Sequence, residues 1–386
     1  MARVTLQTIA DQVGVSRMTV SNAFSRPDQL SASLREKILD AAKKLGYVGP
    51  DPAARALARG TSGAIGIMLT SSLRYAFDDD VATGFLGAIA GEVAPTGLAL
   101  TLLSATGTGD VVPARDVAMD GALVYSCDPD MSAVDWLTQR RLPIVFVDQE
   151  PTRGITSINL DDRGGARAAA QHLVDLGHTD IAVLTAALGG ATGYIDDPEA
   201  DAKASKFVSR ERVLGYLEVL REAGLTPLVH RQENSDDVEA YVAALDLLAR
   251  PDRPTGVLCF SDVIASGVLR AAQELGLDVP GDLSVVGFDD SPLARRLRPQ
   301  LTTVHQDVAE KGRLSAAELR RVMEAHRNGT KARAKHVVLP TELVVRDSTA
   351  KPPRRGKARL AGCLSVAAGP AGRAARRPAP PSPGPG

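Results

Sequence analysis

Val4-Thr-Leu-Gln-Thr-Ile-Ala-Asp-Gln-Val-Gly-Val-Ser-Arg-Met-Thr-Val-Ser-Asn-Ala-Phe24 decides how the rest of this chain is read. Thr5 can accept a backbone N–H at the start of a helix, and Leu6, Ile9, Ala10 and Val13 recur at helical spacing to make one face apolar. Gly14 stands where a left-handed helix end favours glycine. Val15 can plug a corner, and Ser16 can cap a second helix, Arg17 to Phe24, with Val20, Ala23 and Phe24 turned inward. The stretch predicts a helix-turn-helix, whose second helix meets base edges in the major groove mainly through its N-terminal residues. Arginine can bond guanine bidentately and asparagine can do the same to adenine. Thr5, Ser16, Arg17, Met18, Thr19, Ser21 and Asn22 are therefore the candidate DNA-contacting residues. Taken alone, the stretch also fits an ordinary small three-helix domain with a solvated polar face.

The following segment favours DNA. Ser33 and Glu36 have capping-box spacing, and Leu34, Ile38, Ala41, Ala42 and Leu45 predict a third amphipathic helix that stops at Gly46. With 9 Lys/Arg and 5 Asp/Glu, residues 1–62 carry a net +4, which suits phosphate contact. The whole chain carries −1. Residues 350–386 hold 8 basic and no acidic residues, leaving −13 for residues 63–349. This segregation would keep an acidic body off DNA while the headpiece engages it.

Leu45-Gly-Tyr-Val-Gly-Pro-Asp-Pro-Ala-Ala-Arg-Ala-Leu-Ala-Arg-Gly60 comes next. The run from Thr5 to Ser21, Leu45-Gly-Tyr47 and Pro52–Ala58 together resemble the lactose-repressor family of bacterial transcription regulators, over about residues 3–348. The resemblance implies that Ala53–Ala58 is a hinge helix that folds when two subunits meet over the minor groove. It further implies that Leu57, beside Arg55, wedges into a central base step and kinks the duplex, as apolar wedges do. A surface helix or linker with a buried Leu57 is the plainer alternative. Gly49, Asp51 and Ser25 depart from the family's usual residues.

The body, 63–349, alternates strand-like and helix-like runs. Ala64–Leu69, Leu98–Leu103, Ala122–Tyr125, Ile144–Val147, Ile181–Leu184, Gly256–Phe260 and Leu283–Phe288 read as strands. Val81–Ala94, Arg163–Leu176, Arg210–Ala223, Val238–Leu248 and Ala265–Leu275 read as helices. Continuous apolar strands between helices predict parallel sheets covered on both faces, and their number predicts two lobes. The resemblance implies a periplasmic-binding-protein-like architecture with a ligand in the cleft. Its chain crossings are expected near Asp161, near Ser291 and around residues 320–330.

Ligands of open α/β sheets sit at the carboxyl ends of strands, which makes polar residues there the effector candidates. In Gly287-Phe-Asp-Asp290 the resemblance implies that Asp289 bonds ligand hydroxyls; a turn aspartate bonding its own backbone is the alternative. In Ser209-Arg-Glu-Arg-Val-Leu-Gly-Tyr216, Arg212 matches the family's ligand-binding arginine, and a guanidinium there could fork to vicinal hydroxyls or a carboxylate. The alternatives are a solvated helix face or packing near Tyr216. Ser261 stands where the family usually has asparagine, and Asp262 either meets ligand or caps the next helix. Thr70, Ser71 and Gln306 complete the set. Ser235 lies where several members place an aromatic ring, and only 4% of the residues are aromatic, so stacking on a sugar or base is less assured. Residues 186–208 read as a long polar connection, a candidate cleft rim.

No Gly-x-Gly-x-x-Gly or Walker loop opens a helix after a strand, Gly-x-Ser-x-Gly is absent, and the six His show no metal-ligand spacing. His178 reads as a partner for a helix C-terminus. No enzymatic activity, catalytic residue, metal or cofactor is expected. Three scattered Cys suggest a reducing compartment; with no signal-like or membrane-spanning stretch, the expected place is the cytoplasm, at the nucleoid. The last 37 residues hold 8 Pro and 6 Gly and are expected to be disordered. The expectation is an all-α helix-turn-helix headpiece (1–49), a hinge (50–62), two doubly wound parallel-sheet α/β lobes (63–349) and a basic tail (350–386). Its expected partners are pseudo-palindromic double-stranded operator DNA, a small-molecule effector such as a sugar, polyol or nucleoside, and a second copy in a homodimer.

Overall fold

The computed structural model describes residues 4–49, 51, 55–57, 60–69, 73–105, 111–126, 132–186 and 192–353. Three helices, α1 (Leu6–Val13), α2 (Arg17–Ser25) and α3 (Ala32–Lys44), form the headpiece. Ile9, Ala10, Val20, Ala23, Ile38, Ala41 and Ala42 are its buried core. Phe24 closes one end, edge-on to Tyr47 at 5.7 Å between ring centroids. The cap of α3 differs from expectation. Ser31, not Ser33, is the N-cap, its hydroxyl accepting from Leu34 N. The helix begins two residues earlier than the Ser33–Glu36 spacing suggested, which puts Ser33 inside it.

The body has two parallel-rich sheets. The first has the order β12-β5-β4-β3-β1-β2, all neighbours parallel, from β1 (Ala64–Leu69), β2 (Ala99–Ser104), β3 (Ala122–Tyr125), β4 (Ile144–Val147), β5 (Thr156–Leu160) and β12 (His336–Leu339). Alternate residues feed opposite faces. Ile65, Ile67, Leu123 and Val145 pack against Phe85 and Ile89 of helix Asp80–Val93 and Leu319 of helix Val308–Arg327. Met68, Ala122, Val124 and Phe146 pack on the other side against Ala133 and Leu137 of helix Ser132–Gln139. This is the period-2 signature of a strand buried on both faces.

The second sheet has the order β10-β9-β6-β8-β7, from β6 (Ile181–Ala186), β7 (Gly193–Tyr194), β8 (Leu228–Gln232), β9 (Gly256–Cys259) and β10 (Ser284–Val286); only β7 runs antiparallel. Helices Asp162–Leu176 and Phe207–Glu222 cover one face, Asp237–Leu248 and Asp262–Glu274 the other. β11 (Thr303–Gln306) and β13 (Thr341–Val344) form a small antiparallel ribbon beside this lobe.

The chain passes between lobes at Asp161, as expected, but then at Asp307 and at Pro340. No crossing occurs at Ser291, because Ala294 and Leu301 are still buried in the second lobe's core. None occurs at 320–330, because helix Val308–Arg327 lies along the first lobe throughout. The expected long polar connection contains β7 and helix Pro198–Ala204, with residues 187–191 outside the described set. The body also extends past 349. His178 Nε2 lies 2.9 Å from Ala350 O, Ala350 N donates to Ser284 Oγ at 3.0 Å, and Ser348 is fully buried. Residues 354–386, most of the expected tail, lie outside the described residues.

Candidate functional site

Two places gather polar groups that the fold itself does not require. The first is the headpiece corner. The Thr5 hydroxyl accepts from Thr8 N at 3.3 Å, Gly14 takes φ +75°, and Ser16 Oγ accepts from Thr19 N at 3.0 Å while sharing a hydrogen with Thr19 Oγ1. These caps satisfy helix-end N–H groups and present Arg17 and Met18 to solvent, Met18 at 69% exposure. Ser21 is half-buried, its carbonyl accepting from Ser25 Oγ. Asn22 is also half-buried, and its Nδ2 donates to Gln29 Oε1 at 3.1 Å, so base contact would require it to let go. In the expected hinge, of which residues 50, 52–54, 58 and 59 lie outside the described residues, Arg55 N donates to Asp51 O at 2.9 Å and Leu57 is 86% exposed. Leu57 is thus not buried as in a plain linker, while a surface helix fits the same exposure. Asp120 fixes the point where the hinge enters the first lobe, its carboxylate accepting from Ser62 N, Ser62 Oγ and Gly63 N at 2.6, 2.8 and 2.9 Å.

The second place lies at the carboxyl ends of the strands. Ser126 after β3, Asp148 after β4, and Asp289 and Asp290 after β10 all have positive φ, Asp289 as high as +116°. Strained backbone of this kind collects at ligand-binding positions. Arg212, 4% exposed on helix Phe207–Glu222, organises the cluster. Its Nε donates to Asp162 Oδ1 at 2.8 Å, its Nη1 to Phe260 O at 2.6 Å and to Asp289 Oδ1 at 3.3 Å, and its plane lies over the Phe288 ring at 3.6 Å. The same Asp289 oxygen accepts from Gln306 Nε2 at 2.6 Å. Gln306 Oε1 accepts from Lys311 Nζ at 3.1 Å, and Lys311 donates to Asp148 Oδ2 at 2.7 Å. One buried polar chain thus runs from Asp148 in the first lobe to Asp162 and Arg212 in the second.

Burial pushes the Asp289 carboxyl up to about 8, outweighing the attraction of Arg212, and raises Asp162 to about 6 against the same guanidinium. Burial opposes the charge on Arg212 too, but Asp162 and Asp289 hold it protonated. Asp148 Oδ1 and Asp162 Oδ2 are buried without a hydrogen-bond partner. Such orphan acceptors are costly and suit a ligand that donates to them.

Not every candidate joins this cluster. Asp262 accepts from Thr303 Oγ1 at 2.5 Å and from Ser291 N at 2.7 Å, so both its oxygens are spent bracing the corner after β10. It starts the helix that Ser261 caps, and Ser261 Oγ accepts from Ile264 N while bonding Ser235 Oγ at 2.7 Å. Asp290 turns away from Arg212 to Arg346, His305 and Arg295. Thr70 and Ser71 lie outside the described residues. Sequence reasoning missed Asp148, Asp162 and Lys311. Lys311 left one signal: a charge on the same helical stripe as Ser315, Ala316 and Leu319, all buried.

The chain is similar to known proteins at both places. Residues 5–49 match the model of bacterial regulatory proteins of the lacI family, and residues 170–349 match that of a periplasmic binding protein-like domain. An HTH-type transcriptional regulator of Mycobacterium tuberculosis is 38% identical, over 91% of this chain and 98% of the relative. The HTH-type transcriptional regulator IpsA of Corynebacterium glutamicum is 39% identical, over 80% and 88%. Among solved structures, the lac repressor dimer bound to operator and an anti-inducer superposes with TM-score 0.71 at 28% identity, covering 90% of this chain and all of that one.

Proposed function

Because this chain belongs to the lacI family of bacterial regulatory proteins, DNA-binding transcription regulators rather than enzymes, we propose that it is a homodimeric repressor whose operator affinity is set by a small effector between its lobes. Two headpieces would read a pseudo-palindromic operator through Arg17, Met18 and their neighbours, protein symmetry being mirrored in the half-sites. The paired hinge segments would insert Leu57 in the minor groove. The effector would be a sugar, polyol or nucleoside held by Arg212, Asp289 and Gln306. Ser261 and Asp262 fit a supporting role better than ligand contact. No helix among the described residues is long and apolar enough to cross a membrane, and a place at the nucleoid accords with this function.

The observation that carries the reading is the pairing of Arg212 with Asp289, which lie distant in sequence but meet, buried, at the strand ends. An effector binding one lobe arrangement better than another shifts operator affinity by the same coupling energy. One solved relative, the transcriptional regulator CelR in complex with cellobiose, carries a ligand of the expected kind. The test is a mobility-shift titration on the promoter region of the chain's own operon. Arg212→Ala and Asp289→Ala are expected to bind operator as tightly as wild type and to lose effector response. Equal wild-type affinity for operator and scrambled DNA would end the regulator reading.

A further inference from the structure

Lys311 is 1% exposed, a buried cation among one acid, one amide and two aromatic rings. Its ammonium donates to Asp148 Oδ2 and Gln306 Oε1 and lies 5.6 Å from the Tyr125 ring centroid and 5.9 Å from that of Phe85. A lysine has three N–H donors, so one is unused by these two bonds, while Asp148 Oδ1 has no partner. Across the chain of bonds, Arg212 Nη2 is likewise left over after Asp162, Phe260 and Asp289 have taken Nε and Nη1.

We propose that Lys311, balanced by Asp148, is a specificity-determining residue that restricts the cleft to uncharged polyhydroxylated effectors and excludes phosphorylated or carboxylated ones. This rests on the effector reading above. Among the described residues, Asp148 pairs with Lys311, Asp162 and Asp289 pair with Arg212, and Asp79 adds its field at Asp289. Both cations are already compensated, so among the described residues an entering anion meets no free counter-charge. Displacing a buried partner to release one leaves that partner uncompensated, which is strongly unfavourable. A hydroxyl, by contrast, donates and accepts at once. One of a vicinal pair can donate to Asp148 Oδ1 while its neighbour accepts from Lys311. Arg212 and Asp289 form a second donor–acceptor pair on the other lobe. A molecule carrying hydroxyls at both ends fits both, without bringing charge.

The experiment has two arms, both on the full-length chain. In the first, thermal shifts are recorded with ribose, ribitol, glucose and cellobiose against ribose 5-phosphate, glucose 6-phosphate and gluconate. A shift with an uncharged member at least tenfold more sensitive than with any anion, and lost in Lys311→Met, is the expected result. Response to the anions alone overturns the proposal while leaving the effector reading intact; silence from both classes counts against the effector reading instead. The second arm needs no effector. Asp148→Asn should unbalance Lys311, so that inorganic phosphate raises Tm in this variant, not in the wild type, and not in Asp148→Asn combined with Lys311→Met. Wild-type stabilisation by phosphate that Lys311→Met removes, or no gain in a folded Asp148→Asn, overturns the charge-balance argument.

Discussion

Asp289→Asn is expected to make the protein more stable above pH 7 while depriving it of effector response. Asp289 Oδ1 accepts from both Arg212 Nη1 and Gln306 Nε2, and an asparagine keeps that oxygen. Arg212 keeps Asp162 as counter-charge. The folded carboxyl is raised to about 8 from an ordinary value of 3.8. A group raised on folding contributes its stability below the unfolded value and loses it as pH climbs to the folded one. For Asp289 that window runs from about pH 4 to about pH 8. Each unit is worth about 1.4 kcal/mol, so the whole gap approaches ~6 kcal/mol, and the effective dielectric response of a protein interior brings it to roughly 2–3 kcal/mol. Asparagine does not titrate, so the variant escapes this loss. At roughly 2–4 °C per kcal/mol for a domain of this size, melts near pH 8 should show the variant about 5–10 °C above wild type, the two converging near pH 4. Asp162 and Asp262, both raised to about 6 mainly by burial, titrate in both proteins and largely cancel. Parallel wild-type and variant curves from pH 5 to 8.5, or a variant less stable at pH 8, would show that Asp289 is charged in the fold.

Leu57→Ala should leave the melting temperature unchanged, since the side chain is 86% exposed, and should weaken specific operator binding while reducing the bend seen by fluorescence energy transfer across the site. Asp120→Ala removes the acceptor for Ser62 N, Ser62 Oγ and Gly63 N; a loss of about 1–3 kcal/mol by urea melts is expected, together with weaker coupling between effector and operator. Gly312→Val would place its Cβ 2.7 Å from Ala88 Cβ and 2.8 Å from Phe85 O, forcing apart helices Val308–Arg327 and Asp80–Val93. Overpacking costs typically 1–3 kcal/mol or more, so soluble yield should fall sharply; wild-type yield and Tm would refute the close approach.

Much of the fold is legible locally, where pattern and burial agree. β1, β3 and β4 are continuous apolar runs, and Thr5, Gly14 and Ser16 sit at real helix ends. The strands that escape are those whose burial is paid in polar residues. Thr156-Ser-Ile-Asn-Leu160 is wholly buried, but Asn159 is satisfied by the backbone of Gln149, and Leu228-Val-His-Arg-Gln232 hides its polarity in an ion pair with Asp201 and in loop carbonyls. The site divides the same way. Arg212 and Asp289 stand in recognisable local motifs. Asp148, Asp162 and Lys311 gain meaning only from contacts spanning 50 to 163 residues, which no local pattern carries.

The order in which the chain leaves the ribosome meets an awkward topology here. The first lobe's sheet has β12 as its edge strand, paired residue by residue with β5 some 179 positions earlier. Helix Val308–Arg327, which covers that sheet's inner face, also arrives late. The second lobe's strands all lie between those two instalments. A growing chain therefore has to hold an uncovered, unfinished parallel sheet in solution while its neighbour folds, the circumstance in which exposed apolar surface and open strand edges recruit chaperones or aggregate. Ribosome profiling or chaperone capture on stalled chains should place the greatest vulnerability between the emergence of β5 and that of β12.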